Sequence, residues 1–199
     1  LGHIIFSHGK ESGPWGSKIR HLSELALKVG YTFETIDYQG MHSPDLRAEK
    51  LLKHLQDWDT FSPLILVGSS MGAYVSLVAS HHVKVTGLFL LAPALGLPEY
   101  RQPLIAPKAE VTEVVHGWSD HLIPASTVCE WSMQHQCTLY LVNDGHRLQQ
   151  ALPQLGIWFY QFLDRLNRTS GHKESMADKG HSHSTATQTS EASHAATRR

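Results

Sequence analysis

Between His3 and Leu166 the chain alternates six short apolar or alternating runs with five segments whose apolar residues recur at helical spacing. The runs are His3-Ile4-Ile5-Phe6, then residues 32–37, 64–67, 87–91, 111–115 and 138–142. The helical segments begin with Ile19, Leu22, Leu25 and Ala26, closed by a capping Gly30. Residues 46–58 follow, with Leu51, Leu52, Leu55 and Trp58 on one face, and then 73–81, 125–134 and 148–166. A strand joined to the next by a helix pairs in parallel through a right-handed crossover. Runs apolar on both faces are expected where helices cover both sides of a sheet, whereas 32–37 alternates. The pattern therefore predicts an α/β fold: a doubly wound, mostly parallel sheet of about six strands, with helices on both faces.

The pattern stops near Asn167. From 169 to 199 there is no Leu, Ile, Val, Phe, Trp or Tyr, and such a segment cannot bury enough apolar surface to offset its ordering entropy. The expected organisation is a folded catalytic domain over 1–167 and a disordered Ser/Thr/Ala/His-rich tail over 168–199. The tail histidines His172, His181, His183 and His194 have no spacing that sets a coordination geometry, so no metal is expected there.

Composition removes several classes of function. A formal net charge of -1 creates no field to draw nucleic acid or an anionic membrane. No apolar stretch approaches the roughly 20 residues of a membrane helix. Two cysteines, Cys129 and Cys137, are too few for a disulfide framework. No basic segment leads into a long apolar run as in a signal peptide. A cytoplasmic protein acting on a small molecule, without nucleic acid or membrane as partner, is the expectation; oligomeric state has no signature here.

One connection carries chemistry. Between the run ending at Val67 and the helix near Ala73 lies Gly68-Ser69-Ser70-Met71-Gly72, with Ser70 at the centre of a G-x-S-x-G spacing. Small residues are needed there because a nucleophile on a sharp strand-to-helix turn has a strained backbone and brings strand and helix close together. The turn lifts the hydroxyl above the sheet and sets the Met71 N–H beside it, at a helix N-terminus, where it can stabilise an oxyanion. A plain turn with Ser69 or Ser70 as N-cap has the same local sequence. The partners decide between the two.

A serine hydroxyl needs a base, and the base an orienting group. Folds built on this turn supply them in the chain order Ser, Asp or Glu, His, at the carboxyl ends of strands. The run 111–115 leads into His116-Gly117-Trp118-Ser119-Asp120, and 138–142 into Asn143-Asp144-Gly145-His146. Asp120 and His146 are thus the predicted acid and base. Asp144 is the rival carboxylate, but its position suits bracing the turn. His116 and His121 are rival histidines outside the last loop. In the first loop, His8-Gly9-Lys10-Glu11-Ser12-Gly13-Pro14-Trp15-Gly16, the main-chain N–H of Lys10 is the second oxyanion candidate. The loop lacks G-x-x-x-x-G-K-[ST], so a phosphate loop is not expected. Trp15 and Ser12 either line the acyl pocket or pack the loop.

Together, His8-Gly9, the turn at Ser70, Asp120 and His146 resemble the α/β-hydrolase superfamily over residues 2–166, most closely its small bacterial serine esterases. The resemblance implies that fold, serine hydrolase activity on an ester or thioester, and no metal or organic cofactor. Amide or lactone hydrolysis, or a binding protein that keeps the fold without turnover, are the other readings. Only residues 93–110 separate the fourth and fifth runs, too short for the lid domain of many members. That loop, with Leu95 and Tyr100, is expected to wall an open pocket.

Overall fold

In the computed structural model, residues 2–58 and 62–181 are described, with side chains as far as Thr169. The six runs form strands β1 His3–Ser7, β2 Thr32–Ile36, β3 Leu64–Ser69, β4 Gly87–Leu91, β5 Val111–Gly117 and β6 Thr138–Val142. The helices are α1 Ser17–Lys28, α2 Pro44–His54, α3 Met71–Ser80, α4 Ala125–Gln134 and α5 Leu152–His181. All neighbouring strands pair in parallel, in the order β2-β1-β3-β4-β5-β6.

Alternation along each central strand divides the core in two. Ile5, Leu66, Leu88, Leu90 and Val114 pack with Leu51 of α2, Tyr74 and Leu77 of α3, and Trp131 of α4. Their neighbours Ile4, Phe6, Val67, Phe89 and Val115 pack with Leu22 of α1 and with Leu155, Phe159 and Phe162 of α5. The period of two in the strands thus matches a helix layer on each face. The edge strands β2 and β6 are only partly buried, which accounts for the alternating reading of 32–37.

Strand order positions the site. From β1 the chain crosses through α1 to β2, then returns through α2 to β3 on the other side of β1. The winding reverses between β1 and β3, and a crevice opens beyond their carboxyl ends. The connection from β4 to β5, residues 92–110, contains no helix, so no lid domain is present among the described residues. None of their helices is long and apolar enough to cross a membrane.

Two helices differ from the sequence reading. α2 begins at Pro44, with the Ser43 hydroxyl accepting from Leu46 N, and ends at His54 rather than Trp58. α5 begins at Leu152, because Leu148 has φ 52°, which a right-handed helix excludes. The turn before α5 is held by Asp144, whose Oδ2 accepts from Gln150 N (2.7 Å) and Ala151 N (3.0 Å). The chain divides into the units Leu1–Leu166 and Asn167–Arg199. In the second, the backbone of α5 continues to His181. Residues 182–199 and the side chains of His172, His181, His183 and His194 lie outside the described residues.

Candidate active site

Ser70 joins β3 to α3 with φ 54° and ψ -118°, a conformation uncommon for any residue but glycine. The surroundings hold it there. Its N–H donates to Leu91 O at 2.9 Å, while its carbonyl accepts from Ala73 N at 3.0 Å and Ala94 N at 3.2 Å. The flanking glycines allow the necessary close approach. A Cβ on Gly68 would sit 2.4 Å from Ala73 Cα, and one on Gly72 would sit 2.0 Å from Ser7 O. Ser70 occupies the N-cap position of α3, yet its side chain makes no capping bond.

The hydroxyl points to an imidazole instead. Ser70 Oγ lies 2.9 Å from His146 Nε2, and His146 Nδ1 lies 2.6 Å from Asp120 Oδ2. The second Asp120 oxygen, Oδ1, accepts from Leu122 N at 2.8 Å and Ile123 N at 2.9 Å. Burial pushes the Asp120 carboxyl up, but the hydrogen bonds from His146, Ile123 and Leu122 outweigh it and hold the group below its ordinary value. Asp120 is therefore an anion at neutral pH, and His146 Nδ1 carries the proton that it accepts. With that proton on Nδ1, the lone pair of Nε2 faces the Ser70 hydroxyl.

Main-chain bonds bring the three residues together. Trp118 N donates to Val142 O at 2.8 Å and Ser119 N to Asp144 O at 3.0 Å, tying the loop after β5 to the loop after β6. Lys18 Nζ donates to Arg147 O at 2.7 Å, anchoring the His146 loop on α1. Among the described residues Asp144 makes no hydrogen bond or ion pair with His146: its Oδ1 accepts from Gly145 N and its Oδ2 caps the turn into α5. His116 lies behind Asp120. Its Nε2 is 3.0 Å from Ile123 O, its Nδ1 has no hydrogen-bond partner among the described residues, and burial holds its pKa below 6.5, so the ring is neutral at neutral pH. His121 is exposed.

A cavity of about 710 Å³ opens over Ser70 and His146. Its apolar lining comes from Met71, Ala94, Leu97, Tyr100, Leu122 and Ile123, and its polar lining includes Lys10, Ser12, Lys18 and Arg147. Lys10 and Met71 are among the residues that line it, and their main-chain N–H groups donate to no acceptor within the described residues. Two residues expected at the pocket lie elsewhere. Trp15 is half-exposed and packs edge-on against Phe33, and Leu95 is buried in the core cluster that includes Tyr74 and Leu77 of α3. In an irregular loop no periodicity tells which apolar side chains turn inward; Tyr100 does reach the cavity.

The sequence reading missed Leu122, Ile123 and Arg47. The first two directly follow Asp120, and a search of the residues around each predicted side chain would have found them. Arg47 is 1% exposed, and its guanidinium bonds the carbonyls of the first loop. Its signal was present: with Leu51 and Leu55 it continues the i, i+4, i+8 row on the buried face of α2. Among the described residues no group of three or more His, Cys, Asp or Glu could hold a metal ion.

A family model, that of the uncharacterised protein family UPF0227, matches residues 3–142. Among solved structures, a protein of the α/β-hydrolase superfamily from Xanthomonas campestris pv. campestris is 31% identical, with a TM-score of 0.76. The match covers 83% of this chain and 99% of that one. Est1E from Butyrivibrio proteoclasticus, solved with ferulic acid bound, is 16% identical (TM-score 0.72; 84% and 90% covered). The Pyrococcus furiosus esterase Pf2001 is 18% identical (TM-score 0.66; 82% of each chain covered). At these last identities the likeness is one of fold. No curated protein matches the chain. The family match over residues 3–142 and the likeness to the Xanthomonas protein together make this chain a member of the uncharacterised protein family UPF0227 and of the α/β-hydrolase superfamily.

Proposed function

We propose that this hydrolase cleaves a carboxylic ester or thioester through an acyl-enzyme on Ser70. The observation that carries the reading is the unbroken chain from Ser70 Oγ to His146 (2.9 Å) and on to Asp120 (2.6 Å). His146 Nε2 takes the hydroxyl proton as Ser70 Oγ attacks the acyl carbon. The carbonyl oxygen, now charged, accepts from the free N–H groups of Lys10 and Met71. Asp120 stabilises the imidazolium, which returns the proton to the leaving group as the tetrahedral intermediate collapses. Water, deprotonated by His146, then releases the acid in the mirror of these steps. Every role falls to this chain's own side chains and main chain.

The lidless cavity, with its apolar wall of Leu97, Tyr100 and Leu122, suits a short or exposed acyl group better than a long lipid. The test is turnover of p-nitrophenyl acetate by wild type and Ser70→Ala, with fluorophosphonate labelling and mass mapping of the modified residue. Turnover that disappears with Ser70, and a label on Ser70, support the proposal. Equal rates for the two proteins, or a label elsewhere, would falsify it in favour of a binding protein or a different nucleophile.

A further inference from the structure

The Gly9–Lys10 peptide has a front and a back. At the front, the Lys10 N–H donates to no acceptor among the described residues and belongs to a residue of the cavity wall. At the back, Gly9 O is crowded with donors. His8 Nδ1 lies 2.7 Å away, Arg47 Nη1 3.2 Å, and the Ser12 hydroxyl and N–H 3.4 and 3.5 Å. The His8 tautomer follows from its other nitrogen. Nε2 accepts from Tyr38 N at 2.9 Å, so the proton is on Nδ1 and points at Gly9 O. Asp37 Oδ1 stands 3.8 Å from that Nε2, but burial keeps His8 neutral, so the two form no ion pair.

Arg47 is the unusual member. A guanidinium this deeply buried is ordinarily paired with a carboxylate. Among the described residues no carboxylate lies within ion-pair distance of it. It packs over the Tyr38 ring, 5.3 Å from the centroid, and among the described residues its hydrogen bonds run to main-chain carbonyls. These are Met41 O at 2.7 Å from Nε, His8 O at 3.0 Å and Gly9 O at 3.2 Å from Nη1, and Lys10 O at 3.5 Å from Nη2. Three consecutive carbonyls of one loop are thus turned to a single cation. In a trans peptide C=O and N–H point in opposite directions, so drawing Gly9 O backward turns Lys10 N–H forward. Charge on the acceptor side also polarises the amide and strengthens its N–H as a donor.

We propose that Arg47, with His8, is a positioning residue that orients and strengthens the Lys10 N–H as an oxyanion donor, acting through the Gly9–Lys10 peptide. The proposal rests on the acyl-transfer reading above. A fold-stabilising arginine would lower the melting temperature when replaced; a positioning one lowers kcat and the affinity for a tetrahedral adduct in step. The probe is an alkyl trifluoromethyl ketone: Ser70 Oγ bonds its carbonyl carbon, the hydroxyl proton passes to His146, and the ketone oxygen takes the negative charge.

Arg47→Lys keeps a cation and an apolar stem over Tyr38 but loses the fork that spans His8 O and Gly9 O. In folded protein it should lower kcat for p-nitrophenyl acetate about tenfold, and Arg47→Met about 100-fold, up to the effect of losing one oxyanion donor outright. KM should change by less than about threefold, and ketone affinity should fall by the same factor as kcat/KM. A folded Arg47→Lys with kcat and ketone affinity within about twofold of wild type overturns the proposal, as does a loss of kcat with unchanged ketone affinity. If neither variant folds, ¹⁵N NMR of wild type decides: ketone binding should shift the Lys10 amide and the Arg47 side-chain resonances together. A moved Lys10 amide with unmoved Arg47 signals overturns the proposal. Wild type that neither hydrolyses the ester nor captures the ketone on Ser70 overturns the acyl-transfer reading instead, and is measured first.

Discussion

Replacing Asp120 with Asn changes one atom of the proposed machinery and should remove nearly all turnover. In wild type Oδ1 accepts from two main-chain N–H groups and Oδ2 from His146 Nδ1. Asparagine has one oxygen. Placing it at the Oδ2 position would face the amide NH₂ against the Leu122 and Ile123 N–H groups. Two buried hydrogen bonds would be lost, at about 1–3 kcal/mol each. The oxygen therefore stays at the Oδ1 position, and the NH₂ meets His146. To accept from it, Nδ1 gives up its proton, which moves to Nε2, 2.9 Å from Ser70 Oγ. A protonated Nε2 cannot receive the serine proton. Loss of the correct tautomer costs on the order of 10⁴ in kcat, about 5.5 kcal/mol of barrier. Stability should fall by only about 1–2 kcal/mol, as three charge-assisted bonds become neutral ones while the cost of burying a charge is removed. Steady-state hydrolysis of p-nitrophenyl acetate, with the melting temperature as a control for folding, measures both. Asp144→Asn is the counterpart. It weakens the cap before α5 and should cost about 1 kcal/mol of stability, with kcat within about threefold of wild type. Asp120→Asn within tenfold of wild type, or Asp144→Asn with the larger loss, would refute the assignment of the carboxylate.

Gly72→Ala should abolish soluble expression or lower stability by more than about 4 kcal/mol, since the new methyl would meet Ser7 O at 2.0 Å and main chain cannot yield; a near-wild-type melting temperature would contradict the packing of α3 against β1. Burial holds His8 and His116 below 6.5, so between their folded values and 6.5 the unfolded chain binds more protons than the fold. Stability should therefore be complete above about pH 6.5 and fall with acidification through that window, by up to about 1.4 kcal/mol per pH unit for each ring. Urea midpoints from pH 7.5 to 5 should show this slope, and His116→Gln should make it shallower. Removing residues 169–199 should leave kcat/KM and the melting temperature unchanged, because no Leu, Ile, Val, Phe, Trp or Tyr follows Leu166; loss of either measure would give the segment a role that its composition does not suggest.

Sequence alone determined the alternation of strands and helices, their parallel connection, and a serine on a turn between two close-approach glycines. Each is a local property: a period of two or 3.6 is set by neighbours in the chain, and so is the need for Gly68 and Gly72 around a strained Ser70. The order Ser70, Asp120, His146, after the ends of β3, β5 and β6, was legible for the same reason. Helix boundaries were less so, because Leu148 leaves the helical region through a positive φ set by the loop that it closes. Tertiary structure decided whatever depends on residues far apart in sequence. It separated Asp120 from Asp144, since only the joining of the loops after β5 and β6 determines which carboxylate meets the ring. It turned Leu95 into the core and Trp15 onto Phe33, in segments without a period. Arg47 shows the division most sharply. Its place on the buried row of α2 is written in the spacing to Leu51 and Leu55. Its partners, the carbonyls of His8, Gly9 and Lys10, exist only where the return of the chain to β3 lays α2 beside the loop after β1.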